Sequence, residues 1–422
     1  MGIYKTMKKI LFRGPILSRS GYGEQARFAL RSLLTRTDIF DIYIEPINWG
    51  KTNWMHEKNA ETDLIKILID KRTNYSGGFD ASIQVTIPNE FEKLAPINIG
   101  YTAGIETTKI APHWIEKAAI MDRIIVVSNH SKSVFNNTSY HIQNEKGEVV
   151  GLLKNETPVF AVQYAVRDIE AEKIDLGTIE TNFNFLSVAQ AGPRKNLLQT
   201  VKCFLEEFKD EEDVGLILKT FTGNNSLQDR TVTKTLVRNW INKEFPDRKC
   251  SVYILHGNLT EQEMQGLYQH EKVKAFITTT HGEGFGLPIF EAAINGIPVI
   301  APAWSGQNDF LYMPVTNEVS GKKKITPLFS KISYELKPIP KEAVWEGVLQ
   351  EDSMWCYPKD KSVKKSLRSV YDGYNYHLKN STLLSNMIKE KFTPEKMYDL
   401  FCDAVLGDVT DQKQAEERIH LL

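Results

Sequence analysis

No two cysteines in this chain stand at C-x-x-C spacing; the four present, at 203, 250, 356 and 402, are scattered through 422 residues. That excludes a compact thiolate zinc site and a disulfide framework, and it fits reduced thiols in the cytosol. No apolar run approaches the ~20 residues that a membrane span requires. The polar opening, residues 1–9, leads straight into a strand and does not read as a signal peptide. Neither sign of charge is in surplus, since 52 basic residues oppose 53 acidic ones for a net charge of −1. The chain therefore carries no global field that would draw in nucleic acid. Local basic stretches do exist, at Lys322-Lys323-Lys324 and from Lys359 to Lys365, and most runs of this kind are solvated surface.

What is present is the composition of an ordinary globular protein, 41% hydrophobic and 25% charged, in a chain long enough for two domains. Short apolar runs at Lys9–Phe12, Ile42–Ile44, Ser82–Val85, Ile97–Gly100 and Ile124–Ser128 read as strands. Helical spacing follows the first of them, at Ala26, Ala29, Leu30, Leu33 and Leu34, and recurs near 61–71, 111–120 and 130–136. Alternation of this kind predicts an α/β fold with parallel sheet covered on both faces. Residues 139–160 break the rhythm, and Asn144-Glu145-Lys146-Gly147 predicts a hairpin insertion there. After a polar linker near 168–182, buried runs resume at Asn184–Val188, Val214–Leu218, Ser251–Leu255, Ala275–Ile277 and Ile297–Ile300. A helical region over 361–391 precedes Thr393-Pro394, a cap and first-turn proline for one more helix. The expected division is a first domain over 1–170, a second over 180–391, and a last helix plus polar tail over 392–422.

Between two of the later strands lies His281-Gly282-Glu283-Gly284-Phe285-Gly286-Leu287-Pro288-Ile289-Phe290-Glu291, with Gly296 as a helix stop. Gly284 and Gly286 allow backbone to approach a ligand where side chains would collide. The helix that starts at Leu287-Pro288 directs its unpaired N–H groups and positive dipole end at the same place, an arrangement that suits phosphate. Glu283 and Glu291 flank that anion as acceptors for hydroxyl groups. Phosphate beside sugar hydroxyls describes a nucleotide-sugar.

This stretch resembles the E-x7-E segment of family 4 retaining glycosyltransferases, whose GT-B architecture sets two Rossmann-like domains facing across a cleft and whose C-terminal helix, here expected over 394–406, crosses back to the first domain. The resemblance implies that Glu283 touches the transferred sugar and Glu291 the nucleotide ribose. Ala191-Gly192-Pro193-Arg194-Lys195-Asn196 resembles the family's phosphate-binding segment, which implies that Arg194 and Lys195 stabilise the departing diphosphate; Gln190 stands where many members carry an arginine. No Asp-x-Asp pair occurs, so a metal-independent reaction and no cofactor are expected. Lys219, at a strand's C-terminal edge, is either a third cation for the ligand or ordinary surface. Residues His256, Gly257 and Leu259 are assigned to the nucleotide base, favoured as uracil, while Thr260 and Glu263 form a capping box. Gly21-Tyr22-Gly23 resembles the family's N-terminal glycine loop, which implies that Gly21 and Gly23 bind the donor near its phosphates and the acceptor. Gly284, Phe285, Gly286 and Leu287 complete the donor set, and Trp304-Ser305-Gly306-Gln307 is expected to face the donor sugar. Glu106, where many members have histidine, either orients or deprotonates the acceptor hydroxyl or caps a helix near Thr107; His113, His130 and His281 are held in reserve. The implied transfer retains anomeric configuration.

Three stretches, Ser18–Leu30, Tyr101–Thr108 and Trp304–Gln307, together with Trp355, resemble glycosyltransferases of large tailed phages. This implies a 5-hydroxymethylpyrimidine in duplex DNA as acceptor, a base the enzyme must reach or flip, in the cytoplasm of the host. The alternatives are transfer to a saccharide or lipid-linked glycan, and, in another class, a nucleotide-sugar epimerase or a non-catalytic nucleotide-sugar-binding protein. Glucose, arabinose and other sugars stay equally open as the group moved, as does the oligomeric state.

Overall fold

The computed structural model describes residues 7–50, 52–55, 57–316 and 321–407. The opening residues 1–6 and most of the polar tail expected at 407–422 thus lie outside the described residues. The chain divides into two compact units. The first runs to Ala165 and takes in Ile339–Ser353 and the chain from Phe392 on; the second comprises Val166–Pro338 and Met354–Lys391.

In the first unit, β1 (Lys8–Gly14), α1 (Gly21–Leu34), β2 (Phe40–Pro46), α2 (Ala60–Thr73), β3 (Ala81–Val85), β4 (Ile97–Thr102), α3 (Pro112–Ala118), β5 (Arg123–Val126) and α4 (Asn129–Asn137) alternate along the chain. The hairpin β6 (Ser139–Gln143) and β7 (Val149–Lys154) precedes β8 (Val159–Ala161). Six strands form one parallel sheet in the order β2-β1-β3-β4-β5-β8. Its central strands read as continuous apolar runs because helices cover both faces: Phe12, Ile83, Ile99, Ile124 and Val126 are fully buried. The expected hairpin ends earlier than 160, since Val159–Ala161 rejoins the sheet beside β5. Its turn closes with Asn144 N donating to Glu148 O at 3.0 Å, and Gly147 adopts a φ of 79°.

Two segments distant in sequence complete this unit. The segment Ile339–Ser353, expected in the second domain, buries Val348 among Phe91, Trp114 and Ile115. Asn89 joins it by donating to Gly347 O at 3.0 Å and accepting from Trp114 Nε1 at 2.6 Å. A helix further on, Pro394–Leu406, is capped by Thr393 and packs Phe401 against Phe28 and Tyr101 with ring centroids 5.7 and 5.0 Å apart.

In the second unit, β9 (Phe183–Val188), α5 (Leu197–Phe208), β10 (Val214–Lys219), α6 (Leu227–Glu244), β11 (Ser251–Leu255), α7 (Glu261–Tyr268), β12 (Val273–Ile277), α8 (Leu287–Ile294), β13 (Val299–Pro302) and α9 (Asn308–Leu311) follow the same alternation. The hairpin β14 (Tyr312–Thr316) and β15 (Lys323–Pro327) then leads into β16 (Ser330–Ile332). The antiparallel pair β17 (Tyr334–Pro338) and β18 (Met354–Pro358) precedes α10 (Asp360–Asp372) and α11 (Tyr374–Lys391), which makes the helix already described α12. The expected single helical region over 361–391 is thus two helices, parted at Gly373. The parallel sheet has the order β11-β10-β9-β12-β13-β16. Phe185, Phe204 and Phe208 stack at 5.4–6.1 Å beneath it, with Val363, Leu367 and Val370 of α10 closing the core. All four cysteines are buried and free. Among the described residues no helix is long and apolar enough to cross a membrane.

Helix α1 begins at Gly21, so the expected glycine loop is in fact its first turn, capped by Ser20 accepting from Gly23 N at 3.0 Å. The two glycines have different reasons to be there. A Cβ on Gly21 would meet nothing within 4 Å, whereas one on Gly23 would sit 1.9 Å from the Ser18 carbonyl oxygen. That carbonyl is pinned by Arg27 Nη1 at 3.0 Å and cannot give way. Gly21→Ala is therefore expected to leave stability unchanged or raise it by about 0.4–1 kcal/mol, and Gly23→Ala to lower it by about 1–3 kcal/mol or more. Urea titrations of the two variants would check this, and equal stabilities would contradict the packing.

Candidate functional site

The loops that follow β9, β12 and β13 meet at the C-terminal edge of the second sheet, the edge at which open α/β sheets bind ligands. Arg194 and Lys195 lie on a 3-10 turn, Pro193–Lys195, between β9 and α5. Asn196 ends that turn in the left-handed region at φ 52° and donates to Thr279 O at 3.1 Å, while Thr279 Oγ1 returns a bond to Asn196 O at 2.8 Å. These bonds tie the cation-bearing turn to the loop carrying Glu283.

Glu283 is the centre of the arrangement, only 8% exposed. Lys195 Nζ reaches both its carboxylate oxygens, at 2.7 and 2.8 Å. Arg194 Nη1 donates to Oε2 at 3.0 Å and to Gly282 O at 2.7 Å, and Thr280 Oγ1 donates to Oε1 at 2.9 Å. Burial by itself would raise the pKa of this carboxyl, but Lys195 and then Arg194 overcome it and hold the value at about 2. The backbone of Glu283 is gripped from the third loop: its N–H donates to Ser305 Oγ at 2.8 Å, and its carbonyl accepts from Gly306 N at 3.0 Å. Ser305 takes the left-handed φ of 66°, strained for a serine, and is steadied by donating to Gln307 Oε1 at 3.0 Å. Ser305 and Gln307 are 3% and 0% exposed. These two residues therefore brace Glu283 and do not face a sugar, a role that nothing in the sequence distinguishes.

Beyond Glu283, Gly286 adopts φ 97° and starts α8, whose first turn no side chain caps. Gly284 and Leu287 lie beside it. Phe285, expected in the donor set, sends its ring into the core, 5.0 Å from both Phe290 and Phe310, so only its main chain is left to face a ligand. Glu291, about one helical turn along, accepts from Tyr268 Oη at 2.9 Å. Burial first, and then this carboxylate, push the Tyr268 phenol well above its ordinary value.

A second cluster sits at the neighbouring strands β10 and β11. Lys219 Nζ donates to the carbonyl of Gly257, and burial lowers its pKa to about 8 against the opposing pull of Glu263. Main-chain bonds from Ala189 N to Lys219 O at 3.1 Å and from Ala191 N to Phe221 O at 2.8 Å run this cluster into the loop of Arg194. His256 does not offer its side chain to a base: Nε2 is bound to Asp229 at 2.8 Å with the ring almost wholly buried. Asp229 also accepts from Thr222 N and Gly223 N, at 3.1 and 2.8 Å. What can face a ligand here is the backbone of 256–259, where Gly257 has φ 111°. Thr260 and Glu263 form the expected capping box, with bonds of 2.7 and 3.0 Å.

The remaining predicted residues belong to the first unit. Glu106 is half-buried in the loop after β4. Nearby Tyr22 bonds Thr102 Oγ1 at 2.8 Å, stacks on Trp49 at 4.1 Å, and has its phenol pushed up by burial and, to a lesser degree, by Glu106 and Glu90. Gly21 and Gly23 open α1 in the same unit. Of the reserve histidines, His281 stacks on Trp355 at 5.2 Å and binds Cys356 O, His130 binds Thr107 O with its pKa lowered by burial to about 4, and His113 pairs with Glu116.

No protein-family model matches the chain, and no curated protein matches it. Solved structures do. The chain is 12% identical to HepE (Alr3699) from Anabaena in complex with UDP-glucose, with a TM-score of 0.57 over 95% of this chain and 100% of that one. It is 11% identical to sucrose-phosphate synthase from Thermosynechococcus elongatus, with a TM-score of 0.55 over 97% and 100%. Against a mutant of S. aureus TarM, bound to Fondaparinux, alpha-GlcNAc-glycerol and UDP, it covers 77% of itself and 55% of that chain, with 14% identity and a TM-score of 0.48. The chain thus spans about half of TarM and the full length of the other two. At such identities the likeness is one of fold, and with two six-stranded parallel sheets the chain has the two Rossmann-like domains of GT-B glycosyltransferase architecture.

Proposed function

We propose that the protein is a retaining glycosyltransferase that moves a sugar from a UDP-sugar to an acceptor hydroxyl. The observation that carries this reading is the buried Glu283 carboxylate joined to Lys195 and Arg194 beside the uncapped start of α8. A donor diphosphate at that place meets two fixed cations and the backbone N–H of Leu287 at the start of α8. Its sugar meets Glu283 as hydroxyl acceptor, and its ribose meets Glu291. Uracil is favoured because HepE, alike in fold over its whole length, is seen with UDP-glucose, and a base there would lie on the backbone of 256–259.

In the proposed reaction the bond between the anomeric carbon and the diphosphate oxygen breaks, and the electron pair leaves with the diphosphate. The acceptor oxygen attacks from the same face, forms the new glycosidic bond, and passes its proton to the departing phosphate oxygen. We assign the leaving group's stabilisation to Arg194, Lys195 and backbone amides. Each charge-assisted bond contributes about 1.5–3 kcal/mol, so two cations supply roughly 3–6 kcal/mol if the bonds tighten as charge develops. The helix dipole adds only about 0.3–1 kcal/mol. Glu106 is assigned to the acceptor hydroxyl of the same reaction, and Gly21 and Gly23 to the donor.

For the acceptor we propose a 5-hydroxymethylpyrimidine in duplex DNA, supported by the likeness of Ser18–Leu30, Tyr101–Thr108 and Trp304–Gln307 to phage glycosyltransferases. The competing acceptor is a saccharide. Mass spectrometry of reactions offering several nucleotide-sugars with both acceptors separates them; epimerisation would change the sugar without releasing UDP.

Two measurements test the site. Glu283→Gln keeps the shape but removes the charge, and is expected to lower transfer by about 10²–10³-fold while UDP affinity holds or improves, because both cations lose their internal partner. A parallel loss of transfer and thermal stability would instead make Glu283 a structural residue. For Lys219, a pKa of about 8 means the ammonium loses its proton as pH rises through that value. The terminal phosphate of UDP, with a second pKa of about 6, is ionised throughout that range. UDP affinity measured by calorimetry should therefore fall above pH 8 and stay level in Lys219→Arg; a level profile for the unaltered protein would remove Lys219 from the donor site.

A further inference from the structure

A groove of about 680 Å³ lies in the second unit between the sheet-edge strand β16, the start of β13 and the helices α10 and α11. Lys331, Lys359, Lys361 and Lys365 line it, and no carboxylate does. Helix α10 shows why this is more than a basic run. Its cations fall on two stripes. On one, Lys364 pairs with Glu206 at 2.8 Å and Arg368 with Glu207 and Glu211 at 2.8 and 3.1 Å, all on α5 or just beyond its end. On the other, Lys361 and Lys365 stand four residues apart among Ser362, Ser366 and Ser369 and face the groove. Neither of them, nor Lys331, forms an ion pair with a described residue, and Lys359 shares only a half-exposed pair with Glu335 at 2.8 Å. The stripe that fixes the helix is neutralised; the stripe that lines the groove is not.

The second basic stretch of the sequence lies near the groove without lining it. Lys323 and Lys324 open β15, which runs into the groove wall at Pro327, Leu328 and Phe329. At ~3.3 Å per residue, Lys324 stands within about 10 Å of that wall. The four lining lysines come from β16, the residue before α10 and α10 itself, which suits a row of phosphates better than one. Lysine and serine are side chains that typically hold a nucleic-acid backbone, and Tyr376, 68% exposed at the rim, offers a ring face for a base. One end of the groove leads to the candidate site: Lys359 N donates to Ser333 O at 2.9 Å, and the next residue, Tyr334, packs 5.8 Å from Trp304, the neighbour of Ser305 that holds Glu283.

We infer that this groove holds the phosphodiester backbone of a DNA acceptor and brings it to the sheet edge where Glu283 lies, an inference that rests on the DNA-acceptor reading above. The test is fluorescence anisotropy of the full chain with a labelled hydroxymethylated duplex, at about 50 to 200 mM salt. Lys361→Glu/Lys365→Glu is expected to weaken binding at least tenfold and to lower the slope of log affinity against log salt by about 2, one per phosphate contact. Lys331→Glu should shift both in the same direction, with UDP affinity unchanged in every variant. The inference is overturned if the unaltered protein does not bind the duplex at the lowest salt, or if the charge reversals leave affinity and slope as they were. It is also overturned if a polymer of glycerol phosphate displaces the duplex at equal phosphate concentration. Groove-dependent binding without sugar transfer to the duplex would support the groove and reject the acceptor reading instead.

Discussion

A buried carboxylate held between two cations organises the candidate site. Glu283 is kept ionised by Lys195 and Arg194, and each of the three partners is fixed by its own loop bonds. Taking such charges out of water is costly, and the cost is met only where the geometry satisfies nearly every lone pair. Thr280, Ser305 and Gly306 supply the remaining bonds to Glu283. This constraint explains why three separate loops converge to within hydrogen-bond distance, and why Ser305 tolerates a left-handed backbone.

The same three residues give a physical reason for their loops to hold their order. Two neighbouring cations repel one another and would otherwise lie loose in solvent. A buried carboxylate gives both of them a partner. Lys219 follows a different logic, since burial weakens its hold on a proton against the opposing pull of Glu263, and its hydrogen-bond partner is a carbonyl and not a carboxylate.

Much of the fold was legible. The runs at Ser82–Val85, Val214–Leu218 and Ser251–Leu255 became strands within a residue of where alternation placed them, because strands buried on both faces need unbroken apolar sequence. Gly296 follows the end of α8 with a φ of 72°, the conformation a helix-stopping glycine supplies. Less legible was the chain's path between units. Nothing local marks Ile339–Ser353 as part of the first unit, for its anchors are contacts with residues far off in sequence, among them the burial of Val348, the bond of the Gly347 carbonyl to Asn89 and the pairing of Asp352 with Lys109. Side-chain direction was equally hidden: Phe285 and His256, expected in the donor set, turn to the core and to Asp229.

From the order of residues alone came the alternating α/β pattern and the glycine-flanked carboxylate Glu283 ahead of a helix, while Arg194 and Lys195 were singled out by the resemblance of their segment to a family motif. Local rules sufficed for the pattern, since backbone hydrogen bonding and apolar periodicity act over a few residues. Only the folded chain decided that the three charged groups touch, that Ser305 and Gln307 stand behind them, and that α10 leaves one stripe of lysines unneutralised. Pairings of that kind span from 22 to 161 residues, and no local signal records which distant partner a side chain will meet.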